Sequence, residues 1–299
     1  MRIRIVDVFT DVPFAGNPAG VLILDADGFP ADAWLQQVAA ELNLSETAFA
    51  HPLPAGPDPD PDADPDADPD ADPDPDAEND ANGAADWALR WFTPVTEVRL
   101  CGHATLATAH VLRTTGLASG PVRFRTRAGV LAARADGDGT TTLDFPAAPL
   151  TPVAAPEGLA RALGADPLTV LDTGPDCGDL LVELADEAAV RALTPDFRAL
   201  ARLSDRGVIV TAAAADPARG YDFVSRGFFP AVGIDEDPVT GSAHTALAPF
   251  WSGRLGADAL TGLQASARTG LVRTRLSGDR VLLSGAAVTV VDGELHAVP

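Results

Sequence analysis

Residues 100–112 read LCGHATLATAHVL and residues 239–251 read VTGSAHTALAPFW. In each stretch a glycine, Gly102 or Gly241, stands where an extended segment gives way to a helix rich in Ala and Thr. Small side chains on every face let backbone close around such a helix, which suits a helix threaded through a curled sheet. One such segment in each half of the chain reads as an internal duplication, one copy per domain. Two unrelated core helices, each opened by a glycine, would leave the same pattern.

Outward from these helices the pattern is mixed. Arg2–Phe9, Gly20–Leu24, Ala88–Phe92, Val122–Thr126, Val130–Ala135 and Thr141–Phe145 read as strands. So do Leu180–Leu184, Val208–Thr211, Val272–Leu276, Val281–Ser284 and Ala287–Val291. Pro30–Leu42 reads as a helix with Leu35, Val38 and Leu42 on one stripe, and Pro156–Leu163 and Glu187–Leu193 as shorter ones. The two small-residue helices are expected over Ala104–Arg113 and Ser242–Trp251. With 299 residues, 46% of them apolar, the chain has enough material for two domains with sizeable cores.

Residues 57–77 interrupt this pattern with Asp at every second position among Pro and Ala. Proline forbids ladders and the charges repel one another, so the sequence predicts an extended, disordered, solvated insertion. The alternation resembles half of an EF-hand loop, but the loop's Gly and its closing Glu are missing.

The formal charge of −22 opposes binding to nucleic acid and to anionic membranes. All 21 basic residues are Arg, so a lysine Schiff base and a P-loop are both closed. The elbow of serine hydrolases, the zinc-protease helix and the dinucleotide fingerprint have no counterpart. Two cysteines, Cys101 and Cys177, make no disulfide framework. An N-terminus reading MRIRIVDVF has no secretory apolar region, and a cytoplasmic location is expected.

Four places combine polar groups with tight backbone: Asn17 in Gly16-Asn17-Pro18, Ser45-Glu46 after the first helix, and the two helix starts at Gly102-His103 and Gly241-Ser242. Helix starts offer free N–H groups and a positive dipole end, a seat for a carboxylate that needs no Lys. Glu46, if buried, would have its pKa raised towards neutrality, as a proton shuttle requires. The acidic turn Asp235-Glu236-Asp237 precedes the second start; Asp235 and Glu236 read as solvated, and His110 and His244 as structural. A thiol at a helix start is acidified, which leaves Cys101 open as a nucleophile or base.

Together these places resemble the PhzF-like family of phenazine-biosynthesis isomerases and epimerases. The matching stretches are VDVFTDVPFAGNPAGV, ELNLSETAF, WFTPVTEVRLCGHATLATAHVL, GFFPAVGIDEDPVTGSAHTALAPFW, and QASARTG through DRVLLSGAAVTVVDGEL. They span the chain outside the insertion, in the family's order. The resemblance implies an α+β fold like that of diaminopimelate epimerase: two similar domains, each a curled, barrel-like mixed sheet around a central helix, with the active site between them. The domains would be residues 1–118 with 286–299, and residues 119–285.

On the same resemblance, the acid/base glutamate falls on Glu46, with His103 and Asp237 as its catalytic partners. Asn17, Ser45, Gly102, Gly241 and Ser242 would bind substrate. Thr269 departs from the family, where a Gly is more usual. The implied activity is a cofactor-independent, metal-independent proton shift on a small acid, carried out by a homodimer. A Cys101-dependent amino-acid epimerase or racemase is the rival enzyme, and an idle small-acid-binding protein the rival outside enzymes. The two-thiol mechanism of related epimerases is incomplete here, because the second helix start offers Asp237 and Ser242 and Cys177 belongs to another segment.

Overall fold

A computed structural model describes residues 1–54, 85–297 and 299. The insertion at 57–77 lies outside the described residues.

Among the described residues, eighteen strands form one continuous sheet. The first run comprises β1 (Arg2–Val8), β2 (Asn17–Ile23), β3 (Glu46–Pro52), β4 (Trp87–Phe92), β5 (Glu97–Val98), β6 (Val122–Thr126), β7 (Gly129–Ala135) and β8 (Thr141–Pro146). The second comprises β9 (Thr151–Pro152), β10 (Thr169–Asp172), β11 (Asp179–Glu183), β12 (Gly207–Ala213), β13 (Phe223–Phe229), β14 (Ile234–Asp237), β15 (Ala259–Gln264), β16 (Gly270–Ser277) and β17 (Arg280–Gly285). The last strand, β18 (Ala287–Glu294), returns to β1.

The pairing order of the first run is repeated by the second. From β18 through β1, β2, β3, β4, β6 and β7 to β8, the neighbours pair antiparallel, antiparallel, parallel, antiparallel, parallel, antiparallel, antiparallel. From β9 through β10, β11, β12, β13, β15 and β16 to β17 the series is the same. Short strands β5 and β14 fold back on β4 and β13, and each leads into a central helix. Topology therefore decides for duplication over two unrelated helices. The runs meet where β8 pairs with β17.

The central helices are Gly102–Thr114 and Gly241–Leu255. Every residue from His103 to Leu112 is buried, so backbone does surround this helix. Buried hydroxyls stay satisfied by bonding back along it, Thr105 to the Cys101 carbonyl and Thr108 to that of Ala104. Fully buried Leu106 and Leu112 each contribute about 1.5–3 kcal/mol against exposure. In the second helix Leu247 is buried, and Trp251 stacks on Phe223 with ring centroids 5.9 Å apart.

The first helix begins at Asp32 and ends at Leu42, where Asn43 takes the left-handed cap. The helix expected from Pro156 shrinks to Leu159–Leu163, and that from Glu187 ends at Ala192. Sequence patterning passed over β3, β10, β13 and β15, and the short β5, β9 and β14. β13 is buried along nearly its whole length, so no alternation marks it, and β15 carries Gly262, whose missing side chain leaves room for the Phe223 ring.

Three contacts of Arg268 fix the turn ahead of β2. Buried Asp7 pairs with Arg268 at 2.7 Å, and Arg268 also donates to the carbonyls of Ala15 and Gly16. Gly16 sits at φ 65°, and a Cβ there would lie 2.1 Å from the Val8 carbonyl oxygen, so only glycine fits. Thr269 holds φ 55°, the left-handed region in which a Gly is more comfortable.

Among the described residues, no helix is long and apolar enough to cross a membrane.

Candidate active site

The two central helices point their N-termini at each other. A Cβ built on Gly102 would lie 3.9 Å from Gly241 Cα, and one on Gly241 would lie 3.8 Å from Gly102 Cα. Among the described residues, neither helix has a side-chain cap from its N-cap residue, Cys101 or Thr240. Two positive dipole ends therefore converge on one spot.

Around that spot the fold gathers groups from distant segments. Asn17 opens β2 and Glu46 opens β3, which pair in parallel with Ala19 opposite Glu46, so both lie at the same end of neighbouring strands. Asn17 is fully buried and holds the two halves together. Its Nδ2 donates to Asp237 Oδ1 at 2.9 Å and to the Val239 carbonyl at 2.8 Å, and its Oδ1 accepts from the Ser45 hydroxyl at 3.0 Å. Asp237, on β14, accepts a further bond from Thr240 at 2.6 Å. Gln264 braces this turn, accepting from the Thr240 N–H and donating to the Asp237 carbonyl, each at 2.8 Å.

His103 Nε2 lies 3.2 Å from Glu46 Oε2 but makes no hydrogen bond there or elsewhere among the described residues. Its Nδ1 is 3.5 Å from both the Asn17 amide nitrogen and the Cys101 sulfur. An amide nitrogen cannot accept a hydrogen bond and a thiol accepts only weakly, so we assign the ring proton to Nε2, facing Glu46.

The electrostatics separate the two carboxyls. Burial, reinforced by the Asp237 charge, pushes Glu46 up to about 8, against pulls from Cys101 and Arg206. Burial raises Asp237 to about 6, with the Thr240 and Asn17 hydrogen bonds opposing. Burial lowers His103 to about 3, so its imidazole is neutral. At pH 7 the site therefore holds a largely protonated Glu46, an ionised Asp237 and a neutral His103. Two carboxyls split in this way are equipped as acid and base partners.

Burial also drives Cys101 well above its ordinary value, with Glu46 and Asp237 adding to the shift. The acidification expected of a thiol at a helix start is reversed, because desolvation and two nearby carboxyls outweigh the dipole. Donor atoms of Glu46, Cys101 and His103 lie within 4.8 Å of one another. Such a set suits zinc in kind, yet a metal would have to displace protons that burial holds on both Cys101 and Glu46.

All eight residues singled out in the sequence flank the paired helix starts or bond to residues that do. Asp235 is exposed, and Glu236 forms a two-pronged pair with Arg226 at 2.8 and 2.9 Å. His110 meets Thr289, and His244 donates to the Thr240 carbonyl. Cys177, remote in sequence, is brought to the second helix start, 3.6 Å from the Ser242 carbonyl; burial pushes its thiol up to about 12. Sequence reasoning missed Thr240, Gln264, Asp179 and Arg206. Thr240 and Gln264 adjoin or lie within the recognised stretches, but nothing marks Arg206, a lone Arg in the turn Ser204-Asp205-Arg206-Gly207.

Comparison with known proteins agrees with this architecture. The family model of the phenazine biosynthesis-like proteins (PhzC-PhzF) matches residues 6–293. An uncharacterized isomerase of Pseudomonas aeruginosa is 46% identical over 292 residues, covering 97% of each chain. The crystal structure of a PhzF-family protein from Enterococcus faecalis superposes with a TM-score of 0.82 at 36% identity, covering 99% of each chain. A hydroxyproline epimerase from Agrobacterium vitis, at 12% identity, covers 98% of this chain and 91% of its own with a TM-score of 0.56, a likeness of fold alone.

Proposed function

The chain belongs to the phenazine biosynthesis-like (PhzC-PhzF) family and is an isomerase, and from that premise we propose that it shifts a proton on a small carboxylate-bearing substrate at the paired helix starts, with Glu46 as the shuttle. The observation that carries this reading is the pairing of Glu46, raised to about 8, with an ionised Asp237 and an unpartnered His103 Nε2–H.

Glu46 in its ionised form takes a proton from a carbon next to an unsaturated or carboxylated centre. A carboxylate of raised pKa is a stronger base than an ordinary one and still returns its proton readily near neutral pH. Charge developing on the substrate is met by the amides of Gly102, Gly241 and Ser242, which are fixed before the reaction and need no reorganisation. Neutral His103 offers its Nε2–H to a substrate oxygen, and Asp237 holds or relays the second proton. These residues need no cofactor or metal for the shift. We place the protein in the cytoplasm as a homodimer.

The test is exchange of carbon-bound hydrogen with deuterated water, followed by NMR across small cyclic and amino acids. Glu46→Gln keeps the shape and cannot accept a proton, so exchange should fall by about 10² to 10⁴-fold. The rate should climb with pH to a plateau above about 8, as Glu46 ionises. Undiminished exchange in Glu46→Gln would sink the assignment. No exchange of any bound acid by the wild type would favour a binding protein.

A further inference from the structure

We infer that Arg206 is the charged half of the substrate's carboxylate seat, and that Asp179 holds it there. This rests on the proposed proton shift at the helix starts and names the group that selects its acid substrates.

Arg206 precedes β12, far in sequence from the recognised stretches. Its Nη2 donates to Ser242 Oγ at 2.9 Å, and Ser242 is the second residue of the helix whose first residue, Gly241, faces Gly102. It also acts on both Glu46 and Asp237, pulling each carboxyl down. In a protein with no Lys, this guanidinium is the fixed positive charge of the site.

The guanidinium is tethered and still has room for a ligand. Nη1 donates to the Cys177 carbonyl at 2.7 Å and to the buried Asp179 carboxylate, and the plane lies 5.2 Å from the Phe229 ring centroid. Arg has five N–H donors. Its Nε–H and a second Nη2–H have no acceptor among the described residues, and the side chain is 37% exposed. Two other arginines use this Nε/Nη2 edge to grip a carboxylate: Arg90 holds Glu97 with both contacts at 2.8 Å, and Arg226 holds Glu236. On Arg206 the Nε–H of that edge has no acceptor among the described residues, and Nη2 keeps one hydrogen beyond its bond to Ser242.

Ser242 completes the seat. Its oxygen already accepts from Arg206, so its own proton is free to donate. A planar carboxylate then meets the Arg206 edge, the Ser242 hydroxyl and the first amides of the helix together. A carboxamide of the same shape loses the charge-assisted bonds and presents an N–H to these donors.

Binding of benzoate, cyclohexanecarboxylate and their carboxamides to the full chain, measured by calorimetry, tests this. The wild type should prefer each carboxylate to its amide. Arg206→Met should weaken the carboxylates by about tenfold or more and leave the amides unchanged, which erases the preference. Arg206→Lys keeps a charge without the fork and should fall between. Asp179→Asn should weaken carboxylate binding in the same direction, and amide binding reports whether the cleft is intact. A wild type with no preference, or Arg206→Met within about twofold of it, overturns the inference; if Arg206→Met does not fold, Arg206→Lys at wild-type affinity overturns it. Glu46→Gln separates the two readings. It should keep the carboxylate preference while losing exchange, so failure of exchange chemistry leaves Arg206 standing, and failure at Arg206 leaves Glu46 standing.

Discussion

Glu46→Gln should make the protein more stable, and the gain should depend on pH in a defined way. Burial and the nearby Asp237 hold the Glu46 carboxyl at about 8 in the folded protein against 4.5 in its ordinary state. Between those two values the unfolded chain carries an ionised Glu46 and the folded protein a protonated one, so folding takes up a proton. The stability that the protonated carboxyl contributes is fully present below about pH 4.5 and is lost as pH rises to about 8, where the loss levels off. At pH 7 the accumulated loss is about 3 kcal/mol, taking roughly 1.4 kcal/mol per pH unit. Gln cannot titrate and escapes it. For a chain of this size such a gain raises Tm by about 5–10 °C. Thermal and denaturant unfolding of both proteins from pH 4 to 9 isolates the effect, because titrating groups that do not interact with Glu46 cancel in the difference. The stability difference should grow through this window and flatten above it. A difference that stays constant, or stops growing by pH 6, would refute a buried Glu46 with a raised pKa and remove the basis for its role as shuttle.

Cys101→Ser should retain most of the exchange activity, and alkylation of Cys101 should be slow at neutral pH, because its thiol is held well above the ordinary value. Activity lost in Cys101→Ser beside an active Glu46→Gln would move the chemistry to the thiol. Replacing residues 57–77 with a short Gly/Ser bridge should change Tm by no more than a few degrees, since β3 and β4 already pair up to Pro52 and Trp87 and Leu53 bonds to Asp86 at 2.9 Å. A larger fall would mean that the insertion packs against the body. Light scattering at micromolar concentration should give the mass of a dimer, and a monomer mass would count against the homodimer.

The two central helices were legible in the chain alone, because a glycine start followed by a run rich in Ala and Thr has few other uses. With the family resemblance the sequence also singled out Glu46, His103, Asp237 and Ser242 as candidates for the site, on turns or at helix starts that break the surrounding pattern. It could not determine that the two runs of strands repeat one pairing order. Pairing is set by register between segments far apart, and strands buried along their length, such as β13, lose the alternation by which strands are read. The separation of the two carboxyls was likewise a tertiary matter. Local contacts alone do not raise Glu46 to about 8 and Asp237 to about 6; the difference comes from burial and from the Asn17 bond to Asp237, which only the closed fold provides, beside the local Thr240 bond. Arg206 is the plainest case. In the chain it is one Arg of 21 on an unremarked turn. Only the fold, by laying that turn against the second helix start with Asp179 behind it, makes it the charge of the site.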